Sequence, residues 1–133
     1  MMVQSPVATV VILDFGAQYS QLIARRVREA CVYSELLPHD TPWSEIARRN
    51  PAAVILTGGP ESTLAPNALG VDPRLWQAGV PVLGICYGMQ LIARDLGGAL
   101  VESTHREFGP AALRLLGASP LVDGVPEQSR AWM

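Results

Sequence analysis

The sequence predicts an α/β fold: a doubly wound, mainly parallel sheet with helices on both faces. Three observations lead there. Apolar runs rich in β-branched residues recur at Thr9–Asp14, Ala52–Thr57 and Val80–Ile85. Each suits a strand buried on both faces and is too short for a globular helix. Segments with helical spacing lie between them, and glycines cluster where the runs end. Strands alternating with helices in this way build a parallel sheet.

The elements follow in order. Residues 1–8 read as a lead-in, and residues 9–133 as one domain, left incomplete at its C-terminal end. After the first strand, Ser20–Ala30 places Ile23, Val27, Ala30 and Cys31 at helical spacing, with Arg25, Arg26, Arg28 and Glu29 toward water. This spacing predicts a buried Cys31, since cysteine behaves as a small hydrophobe. Val32–Leu37 is a second strand. Thr41-Pro42 reads as an N-cap followed by proline at the first helical position, and that short helix ends before Asn50-Pro51. Ala52–Thr57 is the third strand and runs into Gly58-Gly59-Pro60. A loop over residues 61–73 precedes a short helix at Arg74–Ala78, closed by Gly79. Val80–Ile85 is the fourth strand, Tyr87–Leu96 a helix stopped by Gly97-Gly98, and Ala99–Glu102 a short fifth strand. Ala111–Leu116 is a further strand candidate, and the tail from Gly117 is turn-rich.

Composition narrows the function. The 133 residues suit one domain, and 49% hydrophobic content supports a real core. A formal net charge of -2 gives no basic footprint for nucleic acid. All ten cations are Arg, which excludes a phosphate loop ending in Gly-Lys-Ser/Thr and any Schiff-base lysine. Two cysteines make no disulfide framework, and no Cys-x-x-Cys or His-rich cluster suggests a metal. Met1–Pro6 has no basic leader and no run reaches the ~18 apolar residues of a membrane span, so a cytoplasmic location is expected.

Gly84-Ile85-Cys86-Tyr87-Gly88 has the form Gly-x-nucleophile-x-Gly between a strand and a helix. So sharp a reversal forces the central residue into strained backbone angles and needs glycine on either side. The sulfur is then held at a helix start, where free N–H groups favour thiolate chemistry. The N–H of Tyr87 points where an oxyanion would form. Cys86 is therefore the candidate nucleophile of an acyl transfer. Thr57–Ser62 (TGGPES) admits three readings: a tight turn, a glycine backbone N–H serving as second oxyanion donor, or a phosphate loop, which the missing Lys weakens. Asp14–Tyr19 and Arg106–Gly109 read, on their own, as turns, with Asp14 as a cap.

Taken together, these segments resemble the glutamine amidotransferase domain of GMP synthetases. Asp14–Glu29 (DFGAQYSQLIARRVRE) looks like that domain's opening strand and helix. Gly58–Ser62 (GGPES), Gly84–Gln90 (GICYGMQ) and Arg106–Gly109 (REFG) follow in the expected order. Gly-x-Cys-x-Gly is shared by triad-type glutamine amidotransferases at large. The DFG-x-QY opening is narrower and points to the GMP enzymes, although Ala17 stands where Ser is usual. The resemblance covers nearly all of residues 9–133 and implies a flavodoxin-like sheet.

The resemblance implies a glutaminase. Cys86 would attack the side-chain amide of glutamine, ammonia would leave, and water would cleave the thioester to glutamate. Gly59 and Tyr87 match the backbone oxyanion donors. Gly58, Pro60 and Gln90 match substrate-binding positions, and no metal is implied. The ammonia would pass to an ATP-dependent synthetase domain or subunit that aminates xanthosine monophosphate, with ATP and Mg needed only there. In the family, the pair seen here as Trp132-Met133 leads into a Ser-His-Gly-Asp stretch and then the His-x-Glu pair of the triad. The resemblance thus reads this chain as a domain truncated before its histidine, inactive or very weak alone. His39 and His105 do not match the triad position, and His39 is expected to be solvated. Two alternatives remain: part of another triad-type amidotransferase, such as one serving anthranilate or CTP synthesis, which the DFG-x-QY opening opposes, or a non-catalytic module retaining the fold.

Overall fold

The computed structural model describes residues 7–104 and 108–133. They fall into two compact units, divided after Leu100.

In the first unit the apolar runs become strands because their alternate side chains can be buried on opposite faces. Thr9–Asp14 forms β1, and Val11, Ile12 and Leu13 are wholly buried. Around it lie α1 (Ser20–Glu29), β2 (Tyr33–Pro38), α2 (Trp43–Ala47), β3 (Ala53–Leu56), a 3-10 turn (Pro73–Gln77), β4 (Val82–Gly84) and α3 (Tyr87–Asp95). The four strands make a parallel sheet in the order β2-β1-β3-β4. β1 is paired on both edges: Ile12 lies opposite Leu36 of β2 and opposite Ile55 of β3.

One sheet face carries Val11, Leu13, Val54 and Leu56, packed with Ile46 of α2 and Tyr87 and Leu91 of α3. The other carries Ile12 and Ile55 against Ala24 of α1, flanked by Ile23 and Val27. The sheet is therefore covered by helices on both faces, as the sequence predicts. Each fully buried aliphatic or aromatic side chain contributes about 1.5–3 kcal/mol, and the buried residues of β1 and β3 supply much of that here. Three links of one network, Thr57 N–H to Leu13 O, Ile85 N–H to Leu56 O and His39 N–H to Asp14 O, extend the parallel register past the strand ends. Among the described residues no helix is long and apolar enough to cross a membrane.

In the second unit β5 (Pro110–Arg114) pairs antiparallel with β6 (Gln128–Trp132), joined through a 3-10 turn at Pro120–Val122 whose Leu121 N–H is capped by Ser119. Gly109 and Met133 exchange both backbone hydrogen bonds at the open end of the ladder.

Several local expectations are corrected. Cys31 is exposed, not buried. Helix α1 ends at Glu29, and Cys31 follows it in the left-handed region at φ 62°. Its N–H bonds Arg28 O, and Val32 N–H bonds Val27 O. This is the Schellman closure that usually takes glycine, and it swings Cys31 off the apolar stripe. Thr41 does not cap α2: its hydroxyl donates to Pro38 O, while Trp43 N–H donates to the Asp72 carboxylate. Hydrogen bonds from Arg74 and from the backbone of Trp43 and Arg74 hold the Asp72 carboxyl well below the ordinary carboxylate range. Ala99–Glu102 forms no strand. Gly97 at φ 83° closes α3, and a short apolar run with no ladder beside it does not make a strand by itself. β6 lies in the tail read as turn-rich.

Candidate active site

Parallel strands deliver their carboxyl ends to one edge of the sheet, so the segments following β1, β3 and β4 meet there. A pocket of about 470 Å³ opens at this edge. Gly16, Ala17, Gln18 and Tyr19 line it from the β1–α1 turn, Gly58, Gly59 and Pro60 from the end of β3, and Ile85 and Cys86 from the end of β4.

Cys86 occupies the turn between β4 and α3 at φ 53° and ψ -108°. Such angles are costly for a residue with a Cβ and persist only where the surroundings enforce them. Here they do. Leu56 O accepts the Ile85 N–H before the turn, and Thr57 O accepts the Gly88 N–H after it. Gln90 N–H donates to Cys86 O as the helix begins. The reversal brings Gly84 and Gly88 so close that a Cβ on Gly84 would lie 2.6 Å from the Gly88 carbonyl carbon. A Cβ on Gly88 would lie 2.5 Å from Leu56 O. Both positions are closed to any other residue, as the elbow pattern requires. Cys86 itself is exposed.

Gly58 and Gly59 border the sulfur. A Cβ on Gly58 would come within 3.3 Å of Cys86 Cβ and 3.8 Å of its Sγ. A Cβ on Gly59 would strike Phe15 O at 2.5 Å. Neither the Gly59 N–H nor the Tyr87 N–H donates to any group among the described residues. Backbone donors left free in this way are the kind of group that can receive a developing oxyanion without reorganisation.

The Tyr87 side chain is turned away from the pocket. It is buried, packs against Phe15 with ring centroids 5.1 Å apart and planes tilted by 37°, and its hydroxyl donates to Leu69 O. Burial pushes its phenol above the ordinary value. Gln90 does not line the pocket. Its Oε1 accepts the hydroxyl of buried Thr63 at 3.2 Å, so this side chain anchors the long loop after β3. His39 is not simply solvated: its Nδ1 is 2.8 Å from Gly70 O and its ring stacks on Phe15 at 5.2 Å. Asp14 caps its turn, accepting from Gly16 N–H and Ser20 Oγ. His105 and the Arg106-Glu107 part of the REFG segment lie outside the described residues. No group of three or more His, Cys, Asp or Glu suited to a metal occurs among the described residues.

Ala17, Gln18 and Tyr19 form a wall of the pocket, as the convergence of Asp14–Tyr19 with the segments after β3 and β4 at the carboxyl ends of the strands predicts. One feature was missed in the sequence. Thr57, read as the end of a strand and the start of the TGGPES segment with no role of its own, is fully buried and hydrogen-bonded through its hydroxyl to Phe15 N–H and Gly58 O. Its signal was a hydroxyl closing an otherwise wholly apolar run.

Since Cys31 and Cys86 are both exposed, burial no longer separates them. Brief alkylation of the folded chain followed by peptide mapping is expected to label both. Label confined to Cys86 would show that its chemical setting, and not access, governs reactivity.

Comparison with known proteins places these features in context. Residues 11–133 match the class-I glutamine amidotransferase family. The chain is 54% identical over 125 residues to a glutamine-hydrolyzing GMP synthase of Syntrophomonas wolfei, covering 94% of this chain and 24% of that protein. It is 53% identical over 124 residues to the corresponding protein of Parafrankia sp., covering 93% and 23%. The chain thus spans about a quarter of the length of these curated relatives. Its fold is similar to a crystal structure from Thermoplasma acidophilum assigned as a GMP synthase subunit. There the TM-score is 0.78 at 25% identity, covering 97% of this chain and 65% of that one.

Proposed function

The chain belongs to the class-I glutamine amidotransferase family, and from that premise we propose that it is the glutamine-hydrolysing part of a GMP synthetase. The observation that carries the reading is the setting of Cys86. It stands on an enforced turn at the start of α3, lining one pocket with Gly59 and directly before Tyr87, whose N–H groups have no acceptor among the described residues. The names of the relatives support the GMP branch over other amidotransferases.

In this reading the Cys86 thiolate attacks the side-chain carbonyl carbon of glutamine. The C–S bond forms as the carbonyl oxygen gains charge, and Gly59 and Tyr87 N–H groups hold that oxygen. Collapse of the adduct breaks the C–N bond, and the departing nitrogen takes up a proton to leave as ammonia. Water then cleaves the thioester to glutamate and regenerates Cys86. Gly58 and Pro60 shape the wall against which the substrate lies. Gln90 contributes by holding Thr63 and the loop after β3. The ammonia passes to a synthetase domain or subunit that uses ATP and Mg to convert XMP to GMP, in the cytoplasm. No cofactor is assigned to residues 1–133.

The test is a chimera in which this chain replaces the matching residues of the Syntrophomonas wolfei relative. GMP formation from XMP and ATP is followed with glutamine or with ammonium chloride as nitrogen source. We expect both to support synthesis. Cys86→Ala should lower the glutamine-supported rate by about 10³-fold or more and leave the ammonium-supported rate intact. Glutamine-supported synthesis that survives Cys86→Ala would overturn the proposal.

A further inference from the structure

Thr57 lies among the three segments that build the pocket, yet it does not itself line it. It is wholly buried. Its Oγ1 accepts the Phe15 N–H at 3.0 Å and donates its single proton to Gly58 O at 2.9 Å. Its backbone N–H bonds Leu13 O, and its carbonyl accepts the Gly88 N–H. One residue therefore ties the end of β1, the end of β3 and the first turn of α3. The backbone bonds would serve with any residue at this position. The hydroxyl bonds would not.

The bond to Gly58 O has a particular consequence. Peptide bonds here are trans, so the Gly58 carbonyl and the Gly59 N–H point in opposite directions. Drawing that carbonyl onto a buried hydroxyl turns the Gly59 N–H toward the open side, where Gly59 and Cys86 line the same pocket. Gly58 and Gly59 have no side chains to hold this peptide plane, and glycine backbones rotate freely. Phe15 O lies 2.5 Å from where a Cβ on residue 59 would be, so this position stays glycine and no side chain of its own can hold the peptide plane. Phe15 in turn donates its N–H to Thr57 Oγ1. The one hydroxyl of Thr57 thus holds the Gly58–Gly59 peptide and the neighbouring Phe15 backbone.

We infer that Thr57 is a positioning residue, whose hydroxyl sets the Gly58–Gly59 peptide so that the Gly59 N–H serves as an oxyanion donor to a carbonyl attacked by Cys86. The inference rests on the proposed role of Cys86 as nucleophile. It adds that the donor's direction is set by a buried side chain, not by the glycines alone.

The test separates oxyanion stabilisation from thiol reactivity, in a Cys31→Ala background so that one thiol reports. The first probe is an N-acetylated glutamate γ-(4-nitrophenyl) ester. The thiolate displaces 4-nitrophenolate, a C–S bond replacing a C–O bond, and this leaving group needs no proton donor. The second probe is iodoacetamide, whose displacement of iodide forms no oxyanion. Thr57→Val should slow ester acylation by about tenfold to a hundredfold, less than deleting a donor outright, and leave alkylation unchanged. Thr57→Ser keeps the hydroxyl and should acylate at the parent rate. Thr57→Ala serves the same comparison where Thr57→Val does not fold. Acylation by Thr57→Val at the parent rate, an equal loss in Thr57→Ser, or a parallel fall with both probes would overturn the inference. Equal ester reaction by the parent and Cys86→Ala would overturn the assignment of Cys86, and this inference with it.

Discussion

Gly88→Ala is expected to destabilise the chain by about 3 kcal/mol or more, with loss of the Cys86 turn. The added methyl would lie 2.5 Å from Leu56 O, 2.6 Å from Leu56 Cβ and 2.8 Å from Leu56 C. None of these atoms can step aside. Leu56 is wholly buried in β3, paired with Leu13 of β1 and Gly84 of β4. Relief must come from moving α3 off the sheet, which would pull Tyr87 and Leu91 out of the core they share with Leu56. It would also break the Gly88 N–H bond to Thr57 O. Gly97→Ala is the control. Gly97 sits at φ 83° with open space around it, so it loses only the left-handed preference, about 1 kcal/mol. Urea unfolding of the two variants beside the parent decides the matter. Equal midpoints for Gly88→Ala and Gly97→Ala would mean that α3 can shift on β3 without cost, and the enforced turn would lose its physical basis.

The same contacts explain why this part of the molecule was legible in the sequence. The TVVILD and AAVILT runs can be satisfied only by burial on two faces, and burial on two faces means the middle of a parallel sheet. Gly84 and Gly88 mark a turn that no other residue could make, so the position of Cys86 followed from local sterics. Other features depend on partners distant in sequence. Thr57 gains its meaning from Phe15 N–H, 42 residues away. His39 is ordered by Gly70 O, 31 residues away. Neither relation leaves a periodicity to read. Cys31 failed for a different reason. Helical spacing continues smoothly from Val27 to Cys31, but the helix had already closed, and a left-handed residue other than glycine gives little sign of itself. The Ala99–Glu102 run shows the converse error: apolar residues in a row predict a strand only where a neighbouring ladder exists to receive them.

The 133-residue chain by itself is expected to release glutamate from glutamine about 10²–10⁴-fold more slowly than the same chain continued through the segment that follows it in its relatives. In the proposed mechanism Cys86 attacks the amide and Gly59 and Tyr87 hold the oxyanion, but the reaction then has two further demands. The amide nitrogen must be protonated to leave, and water must later be deprotonated to cleave the thioester. Among the described residues, the pocket wall of Gly16, Ala17, Gln18, Tyr19, Gly58, Gly59, Pro60, Ile85 and Cys86 offers no imidazole and no carboxylate for either step. His39 is committed elsewhere, with Nδ1 against Gly70 O and its ring on Phe15. Oxyanion donors without a general base sustain only a residual acceleration. The measurement is glutamate release by three purified proteins: the 133-residue chain, its Cys86→Ala variant and the extended chain. The first two should be nearly alike and the third far faster. Robust turnover by the 133-residue chain that His105→Ala abolishes would instead make His105 the general base, and would place the whole of the catalytic machinery within these residues.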